Sequence, residues 1–328
     1  EILAMVGSKN YFDTKIEGNV NVVLSLRQPG SAIKPINYAV GLMSKYTAAT
    51  PFVDQKTCFP NPTGKDYCPV NYDGKWHGIV QMRYALGNSI NIPAVKMLKL
   101  NGVEAMIATS SAMGITTFTD PDRYGLSLTL GGGDVTMLEM AQAFGVFANQ
   151  GYKITLHPIL KITKNDGKIL GKYNPPKSPI FGKKILPSTV SFIISDILAD
   201  NSARSIEFGE NSALKIKDKI VSVKTGTTND LRDNWTIGYT PSFVVATWVG
   251  NNDNSPMNNL ASGITGAAPI WNNIMVNLIS NSKNDKINIP SNITKKSCLG
   301  KEEYFIKGTE TLINCNFIPK PTVIIKSN

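Results

Sequence analysis

The sequence predicts an α+β fold in which an antiparallel sheet lies against helices, and two observations support this class. Strand patterns follow one another late in the chain: residues 220–224 alternate, and residues 235–239 and 243–249 flank a turn, Thr240-Pro241-Ser242. Helical patterns precede them. Because the strands are consecutive instead of alternating with helices, we expect the sheet to be antiparallel.

Helices are predicted after Ser31, Thr136 and Ser188. The second is the clearest, because Thr136 and Glu139 have the spacing of a capping box, in which each side chain bonds the backbone of the other. Apolar residues then recur at helical spacing until Gly151, which predicts the end of this helix.

The composition is that of a folded protein, with 42% hydrophobic and 18% charged residues in a chain of 328. Breaks rich in glycine, proline and asparagine lie around residues 51–74 and 280–296. The second break separates a main domain, residues 1–283, from a C-terminal extension, residues 284–328. No apolar run approaches the roughly 20 residues that span a bilayer.

The first six residues predict a strand and lack the basic leader of a signal peptide. We therefore expect the chain to be cut from a longer one, with any membrane anchor or export signal in the preceding part. The net charge of +10 is compatible with nucleic acid, a membrane or an anionic polymer as partner. No basic motif is interleaved with aromatic residues, so we predict no nucleic-acid binding and a solvated basic surface facing an acidic wall or membrane.

The four cysteines form two close pairs, Cys58 with Cys68 and Cys298 with Cys315. Neither pair has the C-x-x-C spacing of a zinc or redox site, and we predict no metal and no cofactor. Local disulfides would close short loops and suit an oxidising, exported location. Four free thiols are the alternative.

Histidine chemistry is not favoured, because the chain has only His77 and His157 and neither lies near a nucleophile motif. Both are expected to be surface or packing residues. The glycines of residues 131–133 are not followed by Lys-Ser/Thr, so they predict a turn before the capped helix and not a phosphate-binding loop.

Lysine-assisted serine chemistry remains, and its signature is S-x-x-K, a second Ser-x-Asn and a K-T-G triplet. Lys224-Thr225-Gly226 occurs once. Each shorter motif is weak alone, because each occurs three times. The S-x-x-K matches are Ser31/Lys34, Ser212/Lys215 and Ser280/Lys283, and the S-x-N matches are Ser8/Asn10, Ser89/Asn91 and Ser282/Asn284. Order and local context select Ser31/Lys34 and Ser89/Asn91 with the triplet.

Ser31 is predicted to be the nucleophile, because it opens a helix after Pro29-Gly30 and Lys34 follows one turn later on the same face. Lys34 can act as the base only when neutral, which requires its pKa to fall by about three units at a cost of about 4 kcal/mol. Burial and a second cation, Lys224, would lower that pKa.

The other motif residues complete a predicted acyl-transfer site. Ser89 can relay a proton between Lys34 and the leaving amine, and the Asn91 carboxamide can hold a substrate amide. On the strand, Gly226 allows a peptide to approach the edge, and Lys224, Thr225 and Thr227 can donate to a terminal carboxylate. The backbone N–H groups of Ser31 and Thr227 are the candidate oxyanion hole.

Longer segments make the sequence similar to the transpeptidase domain of class A, bifunctional penicillin-binding proteins. Residues 27–35 resemble R-Q-P-G-S-x-x-K-P, residues 69–74 resemble P-x-N-Y-D-G, and residues 83–94 resemble R-x-A-L-x-x-S-x-N-x-P-A. Further similar segments are residues 224–228, 234–241 and 267–271. The resemblance covers about residues 1–280, and residues 305–315 are similar to the tail of some members.

This resemblance implies the penicillin-binding protein and serine β-lactamase fold, with a five-stranded antiparallel sheet between helices and an all-helical subregion. It also implies D,D-transpeptidation of peptidoglycan stem peptides outside the cytoplasm through a Ser31 acyl-enzyme. β-Lactams would inhibit the reaction by acylating the same serine. Bifunctional members carry an N-terminal glycosyltransferase domain, and we expect none among these 328 residues. Residues 202–205 also replace a Gly-Thr pair that often precedes the third motif.

Other activities share parts of this signature. A D,D-carboxypeptidase would pass the acyl group to water, a β-lactam sensor would acylate without turnover, and a binding module would use only the basic surface. No Glu-x-x-Leu-Asn stretch is present, which disfavours a class A β-lactamase.

Overall fold

The protein is described by a computed structural model that covers residues 1–60, 64–174, 182–228, 230–257, 263–280 and 287–316. Helices α1 to α8, in chain order, are Lys34–Met43, Met82–Gly87, Asn91–Asn101, Val103–Met113, Met137–Ala148, Ser188–Ala199, Ser205–Phe208 and Ala267–Ile279. Strands β1 to β11 are Pro51–Asp54, Gly78–Gln81, Tyr152–Lys153, Lys161–Thr163, Ile169–Lys172, Lys183–Lys184, Ser222–Thr227, Asn234–Tyr239, Val244–Val249, Ile293–Cys298 and Lys301–Ile306.

The central sheet is antiparallel and has the order β7-β8-β9. The strand that carries the K-T-G triplet lies at one edge, and Lys224 pairs with Ile237 of the middle strand. β8 and β9 form the predicted hairpin, in which Thr240 N–H bonds Phe243 O across the turn at 2.9 Å. The α+β class and its antiparallel sheet are therefore confirmed.

Helices cover both faces of this sheet, which explains why every residue of β8 is buried. On one face α8 places Trp271 so close to Gly238 that a Cβ on this glycine would lie 2.3 Å from the indole ring. On the other face Phe144 of α5 packs edge-on against Tyr239, with ring centroids 6.1 Å apart. Successive residues of a strand point to opposite faces, so adjacent positions 238 and 239 contact different helices.

A helical region packs around α1, which is buried from Lys34 to Leu42 and contacts α3, α4 and α6. The predicted helices after Ser31, Thr136 and Ser188 are present as α1, α5 and α6. The capping box at α5 is complete: Glu139 N–H donates to Thr136 Oγ1 at 3.2 Å, and Thr136 N–H donates to Glu139 Oε2 at 3.0 Å.

The C-terminal hairpin, β10 with β11, is attached to the body by buried charges. Arg83 of α2 is 2% exposed and donates to both carboxylate oxygens of Glu303, and also to Asp196 at 2.6 Å and Asp200 at 3.2 Å. A buried guanidinium needs such partners, since an unpaired charge costs several kcal/mol. The hairpin therefore contributes directly to the packing of α2.

Two predictions about strands differ from the structure. In the described ranges three strands pair in the central sheet, not five, and residues 1–6 form no strand. Alternating apolar residues become a strand only where a neighbouring strand supplies backbone partners. Such a partner is missing for residues 1–6 among the described residues, and Leu3 and Val6 are 64% and 75% exposed.

The cysteines form the two local disulfides, Cys58–Cys68 and Cys298–Cys315. The predicted break at residues 280–296 already contains the beginning of β10, at Ile293. The predicted domain boundary at residues 283/284 lies outside the described residues. Within the described ranges, every helix is too short or too polar to cross a membrane.

Candidate active site

The predicted nucleophile lies in a short 3-10 turn, Gly30–Ile33, that is pressed against strand β7. Gly30 has φ 53°, in the left-handed region that favours glycine. A Cβ on Gly30 would lie 2.6 Å from Thr227 O, and one on Gly226 would lie 2.2 Å from Pro29 O. The two glycines thus bring the half-buried Ser31 beside the K-T-G strand.

The contact with Pro29 gives a further reason why residue 226 is a glycine. The sequence predicted that its missing side chain would leave room for a peptide, but Pro29 and Ala32 already occupy that space. Gly226 is required so that the nucleophile turn can pack on the strand. The indole of Trp235 holds the same turn from the neighbouring strand, because its Nε1–H donates to Gln28 O at 2.8 Å.

Lys34 is fully buried and its amine points toward the second motif. Its Nζ donates to Asn91 Oδ1 at 2.7 Å and to Ser89 O, and it lies 3.3 Å from Ile90 O and 3.4 Å from Ser89 Oγ. Among the described residues Lys34 has no hydrogen bond to Ser31 Oγ. The predicted cluster of Lys34, Ser89 and Asn91 therefore exists, and its hydrogen bonds do not include the hydroxyl of the predicted nucleophile.

Ser89 is positioned by an unusual backbone. Its φ of 61° is in the left-handed region, where a residue with a side chain is strained by roughly 1–3 kcal/mol. Asn88 holds this strained backbone in place, because its Nδ2 donates to Tyr84 O at 3.0 Å and to Ala203 O at 2.8 Å. Asn88 Oδ1 accepts the Glu207 N–H at 3.0 Å, so the turn is fixed on two sides.

Lys224 completes the cluster from β7. It is 2% exposed, and its Nζ donates to Ser89 Oγ at 2.8 Å and to Thr225 O at 2.9 Å. Burial lowers the pKa of Lys224 to about 7, with Glu207 opposing this change and Arg204 adding to it. Near neutral pH this lysine therefore exists in both protonation states.

Burial also holds the pKa of Lys34 well below its ordinary value, and the charge of Lys224 lowers it further. Glu207 acts in the opposite direction on both lysines. Burial raises the pKa of Glu207 itself, and Asp73 raises it further. Sequence reasoning did not identify Glu207, which lies in the short helix α7 outside every motif.

The side chains of Lys34, Ser89 and Lys224 form a path for protons. A neutral Lys34 amine has two N–H groups for Ser89 O and Asn91 Oδ1, and its lone pair can accept the Ser89 hydroxyl proton. Ser89 Oγ in turn accepts from Lys224 Nζ. Protons can therefore pass between the two lysines through one hydroxyl group.

Asn91 is engaged more fully than the sequence predicted. Its Oδ1 accepts from Lys34, while its Nδ2 donates to Val70 O at 2.7 Å. Its backbone N–H donates to Asn71 Oδ1 at 3.0 Å, and Asn71 Nδ2 donates to the buried Asp54 carboxylate at 2.8 and 3.0 Å. Asp54 and Asn71 thus support the second motif. The only sign of Asp54 in the sequence is a single carboxylate at the end of the segment that forms β1.

The two histidines make different contacts: His77 is held by two carboxylates and His157 stacks on an aromatic ring. His77 Nδ1 lies 2.8 Å from Asp54 Oδ2 and its Nε2 lies 3.3 Å from Asp73 Oδ2, while His157 stacks on Tyr173 with ring centroids 4.0 Å apart. In the described part of the chain, no group of three histidine, cysteine, aspartate or glutamate residues is placed to hold a metal ion.

Thr225 of the triplet and Thr227, which follows the triplet, face the segment that begins at Gly263. Thr225 is 5% exposed, and Thr227 Oγ1 accepts the Gly263 N–H at 3.0 Å. Thr227 keeps its hydroxyl hydrogen for a further acceptor. The other motif matches lie elsewhere: Ser212/Lys215 follows α7 and Ser8/Asn10 lies near the N-terminus, while Lys283 and Ser282/Asn284 lie outside the described residues.

A serine turn beside a strand edge, with two buried lysines joined through a second serine, defines a lysine-assisted serine acyltransferase. The model of the family described as "Penicillin binding protein transpeptidase domain" matches residues 1–276, and the chain belongs to this family.

Penicillin-binding protein 1A of Aquifex aeolicus (strain VF5) is 32% identical, over 96% of this chain and 43% of the relative. Its counterpart from Neisseria meningitidis (strain MC58) is 29% identical, over 98% and 40%. The chain thus spans less than half the length of these curated relatives.

Solved structures give the same result for the fold. Penicillin-binding protein 1A from Haemophilus influenzae superposes with a TM-score of 0.79 at 28% identity, covering 90% of this chain and 50% of that chain. PonA1 from Mycobacterium tuberculosis, solved in complex with penicillin V, has a TM-score of 0.70 at 19% identity, covering 83% and 74%. The penicillin-binding protein fold is therefore confirmed for this chain.

The buried lysines predict a pH dependence of stability. Between about 7, the pKa of folded Lys224, and its ordinary 10.5, the unfolded chain binds more protons, so the free energy of unfolding rises with pH. Measured with urea at pH 7, 8 and 9, wild type should gain roughly 2 kcal/mol more across this range than Lys224→Met. Exposed Lys9→Met should follow the wild-type profile. If the stability of wild type and of Lys224→Met changed equally with pH, the lowered pKa of Lys224 would be contradicted.

Proposed function

We propose that the chain is a serine-type D-Ala-D-Ala transpeptidase that cross-links peptidoglycan stem peptides through a Ser31 acyl-enzyme. The observation that carries this proposal is the hydrogen-bonded series Lys34, Ser89 and Lys224, buried beside the turn of Ser31. Membership of the transpeptidase family supports it. The acyl donor is a stem peptide ending in D-Ala-D-Ala, and the acceptor is an amine of a neighbouring stem.

In the acylation step, Ser31 Oγ attacks the carbonyl carbon of the penultimate residue and its proton passes to the neutral amine of Lys34. The negative oxygen of the tetrahedral intermediate is held by the backbone N–H groups of Ser31 and Thr227. These belong to segments that the Gly30 contact brings together. Loss of one such donor usually costs about 2.7–4 kcal/mol.

In the second half of the step, the C–N bond breaks and the leaving D-alanine nitrogen takes a proton from Lys34 through Ser89. The acceptor amine then attacks the ester carbonyl carbon and gives a proton through Ser89 to Lys34. The bond between the acyl carbon and Ser31 Oγ breaks, and Lys34 returns a proton to Ser31 Oγ. Lys224 keeps the Ser89 hydroxyl oriented for both directions of transfer by donating to its oxygen.

The donor peptide would lie along β7, which is an edge of the central sheet. Lys224 and the hydroxyl groups of Thr225 and Thr227 would bind its terminal carboxylate, and Asn91 would orient an amide. Gly226 contributes by keeping the strand against the nucleophile turn. Gly263 packs against Thr225, so Thr225 is the less accessible of the two threonines.

The same proposal places the domain in the cell envelope, on the outer face of the cytoplasmic membrane, where its substrate is found. β-Lactams would inhibit it as covalent ligands of Ser31. The curated relatives are more than twice as long as the matched region, since the chain covers 43% and 40% of two of them. We propose a glycosyltransferase domain and a membrane anchor for the remaining part of the full protein.

Covalent labelling tests the nucleophile. A fluorescent penicillin should label wild type at Ser31, as mapped by peptide mass spectrometry, and Ser31→Ala should lose the label completely. Ser212→Ala is the matched control, because Ser212 has the same S-x-x-K spacing and should label as wild type. Undiminished labelling of Ser31→Ala, or a label on Ser212, would end the assignment.

Partitioning of the acyl-enzyme tests the reaction. With a peptide thioester donor and an added D-amino acid, the aminolysis product should exceed the hydrolysis product, because an acceptor groove positions the amine. The penicilloyl adduct should persist for many minutes. Hydrolysis with every acceptor tried would instead indicate a D,D-carboxypeptidase, and loss of the adduct within seconds would indicate a β-lactamase.

A further inference from the structure

A cavity of about 400 Å³ lies between the end of α6 and the start of β7. It is formed by the end of α6, the 3-10 turn Ser202–Arg204 and the segment that leads into β7. Its walls combine apolar side chains, including Leu214 and Val221, with the charged residues Arg204, Lys215, Asp218 and Lys219. None of the proposed catalytic residues lines it.

Arg204 is the unusual member of this lining. Its side chain is only 4% exposed, and its Nε has no hydrogen-bond partner. Among the described residues no carboxylate lies within ion-pair distance of its guanidinium. Asp200 attracts it weakly, but the Asp200 oxygens are already bonded to Arg83, Lys301 and Ser202. Burial lowers the pKa of Arg204 to about 10, as expected for a cation without a close partner.

Asn201 presents the complementary group. Its Nδ2 donates to Glu210 O at 2.9 Å, while its Oδ1 is buried and accepts no hydrogen bond from the described residues. Asn201 and Arg204 are three residues apart across a 3-10 turn, and side chains at this spacing lie on the same side. Both residues line the cavity. The lining residues therefore include a buried cationic donor and a buried neutral acceptor, Arg204 Nε and Asn201 Oδ1, that lack a partner among the described residues.

We propose that this cavity binds a small organic carboxylate that carries a hydrogen-bond donor beside its carboxyl group. A guanidinium pairs with a carboxylate through two parallel hydrogen bonds, and Asn201 Oδ1 would accept from the adjacent N–H or O–H. Lys215 adds positive charge to the lining. Leu214 and Val221 favour a ligand with an apolar body over a bare inorganic ion.

The site is connected to the catalytic cluster. Arg204 is one of the charges that lower the pKa of Lys224, and the preceding carbonyl of Ala203 accepts from Asn88, which supports the Ser89 turn. A carboxylate bound to Arg204 would offset its charge and raise the pKa of Lys224. A ligand in the cavity would thereby change the protonation of Lys224, which belongs to the proposed proton path.

The test is a binding titration of two forms of the chain, free and acylated with penicillin, so that occupation of the Ser31 site is controlled. N-acetylglycine has the carboxylate and an adjacent amide N–H, acetate lacks the N–H, and inorganic phosphate has an O–H but lacks both the carboxylate and an apolar body. Isothermal calorimetry should show saturable N-acetylglycine binding in both forms, with weaker binding of acetate and phosphate. Failure of acylation would count against the proposed function but would leave the titration of the free form valid.

Variants assign the binding to the cavity. Arg204→Gln should weaken N-acetylglycine binding by roughly tenfold or more, because the charge-assisted pair is lost. Asn201→Ala should remove the preference for N-acetylglycine over acetate. Exposed Arg123→Gln loses the same charge far from the cavity and should bind as wild type. Equal affinity in Arg204→Gln and wild type, no saturable binding to wild type, or tighter binding of phosphate would each overturn the proposal.

Discussion

The site depends on one electrostatic constraint: two lysine amines are buried within reach of a single serine hydroxyl. Lys34 is fully buried and Lys224 is 2% exposed, so neither can recover in water the solvation that it loses. Two ammonium groups this close would also repel each other. At least one amine is therefore driven toward its neutral form near neutral pH, which is the form that a general base requires. Glu207 limits this effect, because its charge favours the protonated form of both lysines.

The fold maintains this constraint through contacts between distant parts of the chain. The sheet edge positions Lys224, while the close approach of Gly30 and Gly226 fixes the nucleophile turn on the same strand. The strained Ser89 is supported by Asn88. A hinge or a flexible loop would let the amines separate and return to ordinary pKa values, so rigidity here serves chemistry. Stability is given up for it, since buried amines and a left-handed serine both cost free energy.

Much of this arrangement could be predicted from the sequence, because its signals are local. The capping box at Thr136, the hairpin around Thr240 and the three motifs each occupy a few consecutive residues. Other features depend on packing between residues far apart in sequence. Arg83 meets Glu303 across 220 positions, and no local pattern identifies Arg204 as a buried cation or Glu207 as a neighbour of the lysines. The packing of Gly226 on Pro29 also depends on residues far apart in sequence, and no local pattern indicates it.

Direct titration of the lysines tests this account most closely. Chains with ¹³C-labelled lysine would be followed by NMR between pH 5 and 11, and Lys34→Met and Lys224→Met would assign the two buried signals. Both signals should titrate well below the ordinary lysine range, with Lys224 near the value of about 7 that burial gives it. In Lys224→Met the pKa of Lys34 should rise, because a neighbouring positive charge has been removed. Two buried signals that titrate with the surface lysines, in wild type and in both variants, would contradict the account.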